Sequence, residues 1–172
     1  MSFVLATINS TSSGPILLNC GSSGLETDSD GRIWDGDKGS KFASSLKGLE
    51  ANALYLDPLL PSMVPYRTAR IFMSNYTYLF PVGPGRMFLR LYFYPTTYDN
   101  QFSSDTSFGV TAGGLSLLYG FNAPQTALAK KYTYLTFEFS LNITSENLEL
   151  TFAPAPNSPY AFINGTDIMP YT

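Results

Sequence analysis

The side chains best equipped for chemistry in this sequence are carboxylates, aromatic rings and a few arginines. Histidine is absent, which removes Ser–His and Cys–His nucleophile pairs and the usual zinc sites. Carboxylates gather at Glu26, Asp28, Asp30, Asp35 and Asp37, around Arg32-Ile33-Trp34. Asp28-Ser29-Asp30-Gly31 resembles the opening of a calcium loop. It lacks an aligned third oxygen ligand and the closing glutamate of an EF-hand. The expectation is instead a turn in which aspartate side chains accept from nearby backbone amides. Asp99 and Asp105, near Tyr98, form a candidate glycosidase pair. That chemistry needs a fixed carboxylate separation, and two acids in one polar loop are weak grounds for it.

The aromatics suggest binding rather than catalysis. Trp34, Tyr66, Tyr92, Tyr94 and Tyr98 fall in or beside loops and strand ends. Rings so placed stack on the C–H faces of sugars while neighbouring polar groups take the hydroxyls. The same tyrosines serve equally as core or edge residues with their hydroxyls at the surface. Arg32, Arg67, Arg70 and Arg90 are available to hold carboxylates of an acidic ligand, or to pair with aspartates inside the fold.

Composition narrows the partners. The net charge is -3 and there is no basic run, so nucleic acid is excluded as a partner. No motif implies a cofactor or a metal. Charged residues make up 13%, about half the usual share, which suggests a surface covered by glycans or by a neighbour. Asn9, Asn75, Asn142 and Asn164 each open an Asn-x-Ser/Thr glycosylation acceptor. With the low charge, they point to a secreted or cell-surface domain. The single cysteine, Cys20, ends an apolar run and is expected to be a buried thiol. No apolar run approaches the ~20 residues of a membrane helix. Residues 1–5 are too short for a signal peptide, so an extracellular chain of this sequence is expected to be a mature or trimmed piece.

These groups must be carried by strands. In residues 86–95, Met87, Leu89, Leu91 and Phe93 alternate with Arg86, Phe88, Arg90, Tyr92 and Tyr94. That period of two predicts a strand with one fully apolar face and one aromatic, basic face, central in its sheet. Residues 1–15 read as a flexible lead-in and 16–172 as one domain. Strands are expected at 16–20, 66–74, 76–80, 107–111, 115–121, 132–141, 147–152 and 160–164. Gly113-Gly114 marks a hairpin, Asn75 a tight hairpin or bend, and 125–131 a turn or two of helix. Residues 21–40 read as loop, and 41–60 resist assignment. Short strands spaced by Gly/Pro turns, without a long amphipathic helix, predict an all-β sandwich or jelly roll.

Several stretches, taken in order, resemble a known family. They are Leu17-Leu18-Asn19-Cys20-Gly21, Asp30-Gly31-Arg32-Ile33-Trp34 with Asp37, Tyr66-Arg67-Thr68-Ala69-Arg70-Ile71-Phe72, Leu89-Arg90-Leu91-Tyr92-Phe93 and Ala161-Phe162-Ile163-Asn164-Gly165. They are similar to the malectin-like domain of plant receptor-like kinases of the Catharanthus roseus type, and to the first of the two tandem domains in those ectodomains. The resemblance implies a malectin-like jelly-roll β-sandwich with long loops, on the extracellular face of a single-pass Ser/Thr kinase at the cell wall. It implies a non-enzymatic domain that reads pectin-like cell-wall polysaccharide. It also implies RALF-type secreted peptides with a GPI-anchored co-receptor, met through the full ectodomain. A sister malectin-like domain is the implied neighbour, and a scaffold role packing on it is the alternative; a carbohydrate-active enzyme ranks third. Animal malectin, a relative, holds a glucose disaccharide with aromatics and an aspartate. By motif, Trp34, Tyr66 and Tyr98 fall in or near the aromatic places, with Tyr94 beside them. The aspartate is unmatched, because Ala155-Pro156-Asn157-Ser158-Pro159 stands there.

Overall fold

A computed structural model describes residues 14–43, 45 and 47–171. The 1–13 part of the expected lead-in, and the acceptor Asn9 with it, lie outside the described residues. Thirteen strands in three sheets carry the described chain: β1 Ile16–Asn19, β2 Leu25–Thr27, β3 Ile33–Gly36, β4 Leu49–Asn52, β5 Thr68–Phe72, β6 Tyr76–Phe80, β7 Gly85–Phe93, β8 Ser107–Ala112, β9 Leu115–Asn122, β10 Leu135–Ile143, β11 Leu148–Pro154, β12 Ala161–Ile163 and β13 Gly165–Pro170. One α-helix, α1 Ala123–Lys130, joins β9 to β10, and a single 3-10 turn lies at Asp99–Gln101.

The six-stranded sheet runs β10-β7-β13-β1-β3-β2, so β7 is paired on both sides as its two-faced pattern predicts. A four-stranded sheet (β6-β11-β8-β9) and a three-stranded one (β12-β5-β4) complete the all-β sandwich. Phe93 on β7 packs against Phe108, Phe121 and Phe162 at centroid distances of 5.9, 4.9 and 5.7 Å, tying the layers together. Tyr76, Tyr78 and Phe80 turn their alternate positions into the same core, and Leu148, Leu150 and Phe152 do so from β11.

Several expectations are corrected. Residues 21–40 hold β2 and β3, the latter parallel to β1 through Leu18↔Asp35 and Asn19↔Gly36. Of the hairpin or bend expected at Asn75, the structure has the bend: β5 and β6 belong to different sheets, and the chain crosses between them there. After Asn164 a further strand, β13, fills the gap between β7 and β1. The strand expected from 132 begins only at Leu135, because Lys131 caps α1 in the left-handed region at φ 58 and ψ 42. Cys20 is fully buried, as expected, and burial raises its thiol pKa well above the usual range.

Candidate ligand-binding face

Alternation along β7 places Tyr92 and Arg90 on the face opposite the main core. There they join a second, smaller cluster made of Trp34, Val64, Tyr66, Tyr92 and Tyr94. Trp34 meets Tyr92 edge-on at 5.3 Å, Tyr92 meets Tyr66 at 6.1 Å, and Tyr66 meets Tyr134 at 5.2 Å. The rings thus form a chain from β3 across β7 to the approach of β10. Leu56, Leu60 and Val64, from the long β4–β5 connection, pack over it. Tyr94 fastens that connection: its hydroxyl donates to the Tyr55 carbonyl at 2.9 Å and accepts from the Asp57 amide at 3.1 Å.

The rings expected to stack sugars are therefore interior. Trp34 is 0% exposed, Tyr98 1%, and Tyr66 and Tyr94 3% each. A ring packed on both faces offers no surface to a ligand, so stacking by these four is corrected to a supporting role. Tyr98 is spent differently again, donating to the Tyr94 carbonyl at 2.7 Å and accepting from the Asn164 amide at 2.8 Å. Burial raises the pKa of the Tyr98 hydroxyl and, on the same ground, of the Tyr66 hydroxyl.

The arginines are also engaged. In strand register Arg90 stands opposite Glu138 on one side and Asp167 on the other. Its Nε lies 3.2 Å from Asp167 Oδ1 and 3.5 Å from Glu138 Oε2. The Arg90–Asp167 pair is ionic without being aligned as a hydrogen bond. The hydroxyl of Tyr92 donates to Asp167 Oδ2, and Arg32 Nη1 stands 3.7 Å from the same oxygen. Burial raises the Asp167 carboxyl above its ordinary pKa, against the pull of Tyr92 and the two arginines. Burial and the bond to Asp167 push the Tyr92 hydroxyl up to about 12.

Asp28 behaves in the opposite way. Its Oδ1 accepts from the amides of Asp30 and Arg32, both at 2.9 Å, the turn that its sequence predicts. Its Oδ2 accepts from the Trp34 indole at 2.9 Å and from Arg32 Nε at 2.8 Å. Burial alone would raise this carboxyl, but the indole, backbone and guanidinium donors outweigh it and hold the pKa below the ordinary value. Arg67 pairs with Glu26, and Arg70 bonds both oxygens of Asp37 and stands 3.7 Å from Glu50 Oε1. Of the two roles open to the four arginines, an acidic ligand or carboxylates within the fold, all four have partners of the second kind. Asp99 bonds Asn52, and Asp105 bonds the Asn122 side chain.

Of the acceptor asparagines, Asn75 and Asn142 are exposed. Asn164 is 0% exposed. Its Oδ1 accepts from the Tyr94 amide at 2.8 Å, and its Nδ2 donates to the Thr68 carbonyl and the Tyr98 hydroxyl, both at 2.8 Å. The folded chain has no room for a glycan there, which corrects that expectation.

The accessible side chains lie at the end of the aromatic chain. Tyr55, Leu59 and Tyr132 are 61%, 74% and 61% exposed. With Lys131, Thr133, Tyr134 and Thr136, Leu59 and Tyr132 line a cavity of about 330 Å³. Sequence reasoning missed these residues. The Tyr132–Tyr134 alternation reads as strand, and glycine, the usual signal of a left-handed cap, is replaced here by lysine.

A malectin-like all-β sandwich is the class that this architecture defines. The comparisons give it a closer place. No family model matches the chain. It is 46% identical over 158 residues to the Arabidopsis thaliana receptor-like protein kinase FERONIA, covering 89% of this chain and 18% of that protein. It is 40% identical to the receptor-like protein kinase ANXUR2 of the same plant, covering 98% and 20%. The crystal structure of the plant receptor-like kinase FER superposes with a TM-score of 0.84 at 45% identity, covering 91% of this chain and 42% of that one. The ANX2 ectodomain gives 0.86 at 40% identity, covering 92% and 42%. A structure of the peptide RALF23 in complex with FER and LLG2 matches at 0.80 and 42% identity, covering 91% and 40%. The chain is homologous to the malectin-like ectodomains of the FERONIA and ANXUR receptor-like kinases, and spans about a fifth of those whole proteins.

Proposed function

We propose that this chain is an extracellular ligand-binding domain of a plant receptor-like Ser/Thr kinase, the first of two malectin-like domains, at the outer face of the plasma membrane. Its ligands are cell-wall carbohydrate of the pectin type, secreted RALF-type peptide, or both. The observation that carries this reading is the match, at 42–46% identity over about nine-tenths of the chain, to FERONIA and its ectodomain structures, one of them holding RALF23 and LLG2. The exposed groups around Tyr132 add a surface on which a ligand can be held.

The test is to express the full ectodomain containing this domain, and to measure binding of a RALF-type peptide with and without its GPI-anchored co-receptor. Peptide binding that strengthens with the co-receptor is expected. Failure with every peptide and with wall oligosaccharides would sink the receptor reading. A scaffold role is the second reading. Leu25 and Ile33, 72% and 60% exposed, line a shallow cavity of about 420 Å³ on the β2–β3 side and offer an apolar seat to a sister domain.

A further inference from the structure

The cavity at the end of the aromatic chain joins several features that no other accessible part of the described molecule combines. Lys131 is exposed and has no carboxylate within 4.0 Å among the described residues, unlike Arg32, Arg67, Arg70, Arg90 and Lys38. Beside it stand two tyrosines, Tyr132 and Tyr134, and two threonines, Thr133 and Thr136. Tyr134 is backed by Tyr66, whose hydroxyl lies 3.3 Å from Thr136 Oγ1, so the buried rings fix the wall of the cavity. Its volume of about 330 Å³ suits one or two sugar rings. A cation beside flat rings and hydroxyls matches a ring-shaped ligand that carries a carboxylate and hydroxyl groups.

The cavity continues past Tyr132 and Thr133 into a second one of about 430 Å³, whose lining includes Tyr55, Asp57, Pro124 and Leu128. The polarity changes there, because the charged side chain is now the Asp57 carboxylate. An aspartate accepts sugar hydroxyls and repels a second uronate. We propose that this double groove is a glycan subsite for an oligosaccharide in which a uronate is followed by a neutral sugar. The uronate sits against Lys131, Tyr132 and Tyr134, and the neutral unit against Tyr55 and Asp57. This rests on the carbohydrate part of the proposed function, and differs from it in naming the place and the charge pattern.

Lys131 permits a clean test. Its backbone is left-handed at φ 58, a conformation that glycine adopts without strain. Lys131→Gly therefore removes the cation without disturbing the cap of α1. The neighbouring Lys130 holds its ammonium over Phe137 at 5.6 Å, away from the groove. Lys130→Ala is thus the matched control for lost charge. Calorimetric titration of the domain would compare three probes: an oligomer alternating galacturonate with rhamnose, a homo-oligogalacturonate of equal length, and a neutral glucan.

The alternating oligomer is expected to bind best and to weaken with salt. Its affinity is expected to fall about tenfold or more in Lys131→Gly, and to stay unchanged in Lys130→Ala. Tyr132→Ala is expected to abolish the heat. Equal or tighter binding of the homopolymer overturns the charge pattern. Uronate binding that survives Lys131→Gly overturns the site while leaving carbohydrate recognition standing. No binding of any sugar by the wild type overturns the carbohydrate reading itself.

Discussion

Two aspartate–arginine groups sit on the two sides of the six-stranded sheet, and they are built differently. Inside the sandwich, Asp37 and Arg70 are 0% and 3% exposed. Arg70 grips both oxygens, at 3.0 and 2.6 Å, while Tyr78 and the Gly21 amide take the remaining places at 2.8 and 3.0 Å. On the outer face Asp167 is equally buried, yet one of its oxygens meets Arg90 off-line, and Arg32 stands further away. Its arginines are about one-third exposed and lead out to solvent and to Glu138. The inner pair is bidentate and structural, with Glu50 as a more distant, part-exposed second partner of Arg70 at 3.7 Å. The outer group leaves charge only partly matched beneath a surface, where small changes of environment have effect.

The sharpest way to break this contrast is to neutralise each acid in turn. Asp37→Asn leaves the buried Arg70 guanidinium with only the more distant Glu50 as counter-ion and is expected to cost about 3 kcal/mol in urea unfolding. Asp167→Asn is expected to cost about 1 kcal/mol or less, because the carboxylate is already poorly compensated and its arginines reach water. Equal losses would show that the two groups do the same work.

A smaller effect, of opposite sign at two aspartates, is expected with pH. Asp28 has a lowered folded pKa, so its contribution is present above the ordinary carboxylate range and is lost as pH falls through the folded value. Asp167 has a raised folded pKa. The folded state then takes up that proton first, and stability from this group rises as pH falls through the folded value. Asp28→Asn should therefore flatten the acid limb of a stability–pH curve, while Asp167→Asn should steepen it. Identical limbs for the two variants would contradict the opposed environments. The smallest effect is expected from Tyr66→Phe, about 0.5 kcal/mol, since only the long contact to Thr136 is lost. A loss several times larger would mean that this hydroxyl helps to hold the outer face together.

Legibility in the sequence followed the range of the interactions. β6, β7 and β11 were readable because alternation is local, and each buries one face of the pleat as its pattern requires. The Gly113-Gly114 hairpin and the Asp28 turn were readable for the same reason. β2 and β3 were not, because strands of three and four residues among glycines depend on pairing, β3 with β1 and β2 with β3. Asp167 and Glu138 become neighbours of Arg90 only by the register of strands remote in the chain. In the sequence Trp34 reads as a bulky anchor within an acidic loop. Its indole is in fact drawn inward by Asp28 and covered by the β4–β5 connection, neither of which local pattern reveals.

Asn164 gives the fold a relation to time. Its amide nitrogen, the atom to which an oligosaccharyl group would be attached, is the same atom that holds the Thr68 carbonyl and the Tyr98 hydroxyl in the finished domain. In a secretory compartment two processes therefore compete for one nitrogen, and whichever arrives first excludes the other. A chain that closes β13 before the transferase reaches it keeps a bare asparagine. A chain modified first carries a sugar where the strands must meet. The state of this residue in secreted protein would thus be a written record of how fast the last strands were laid down.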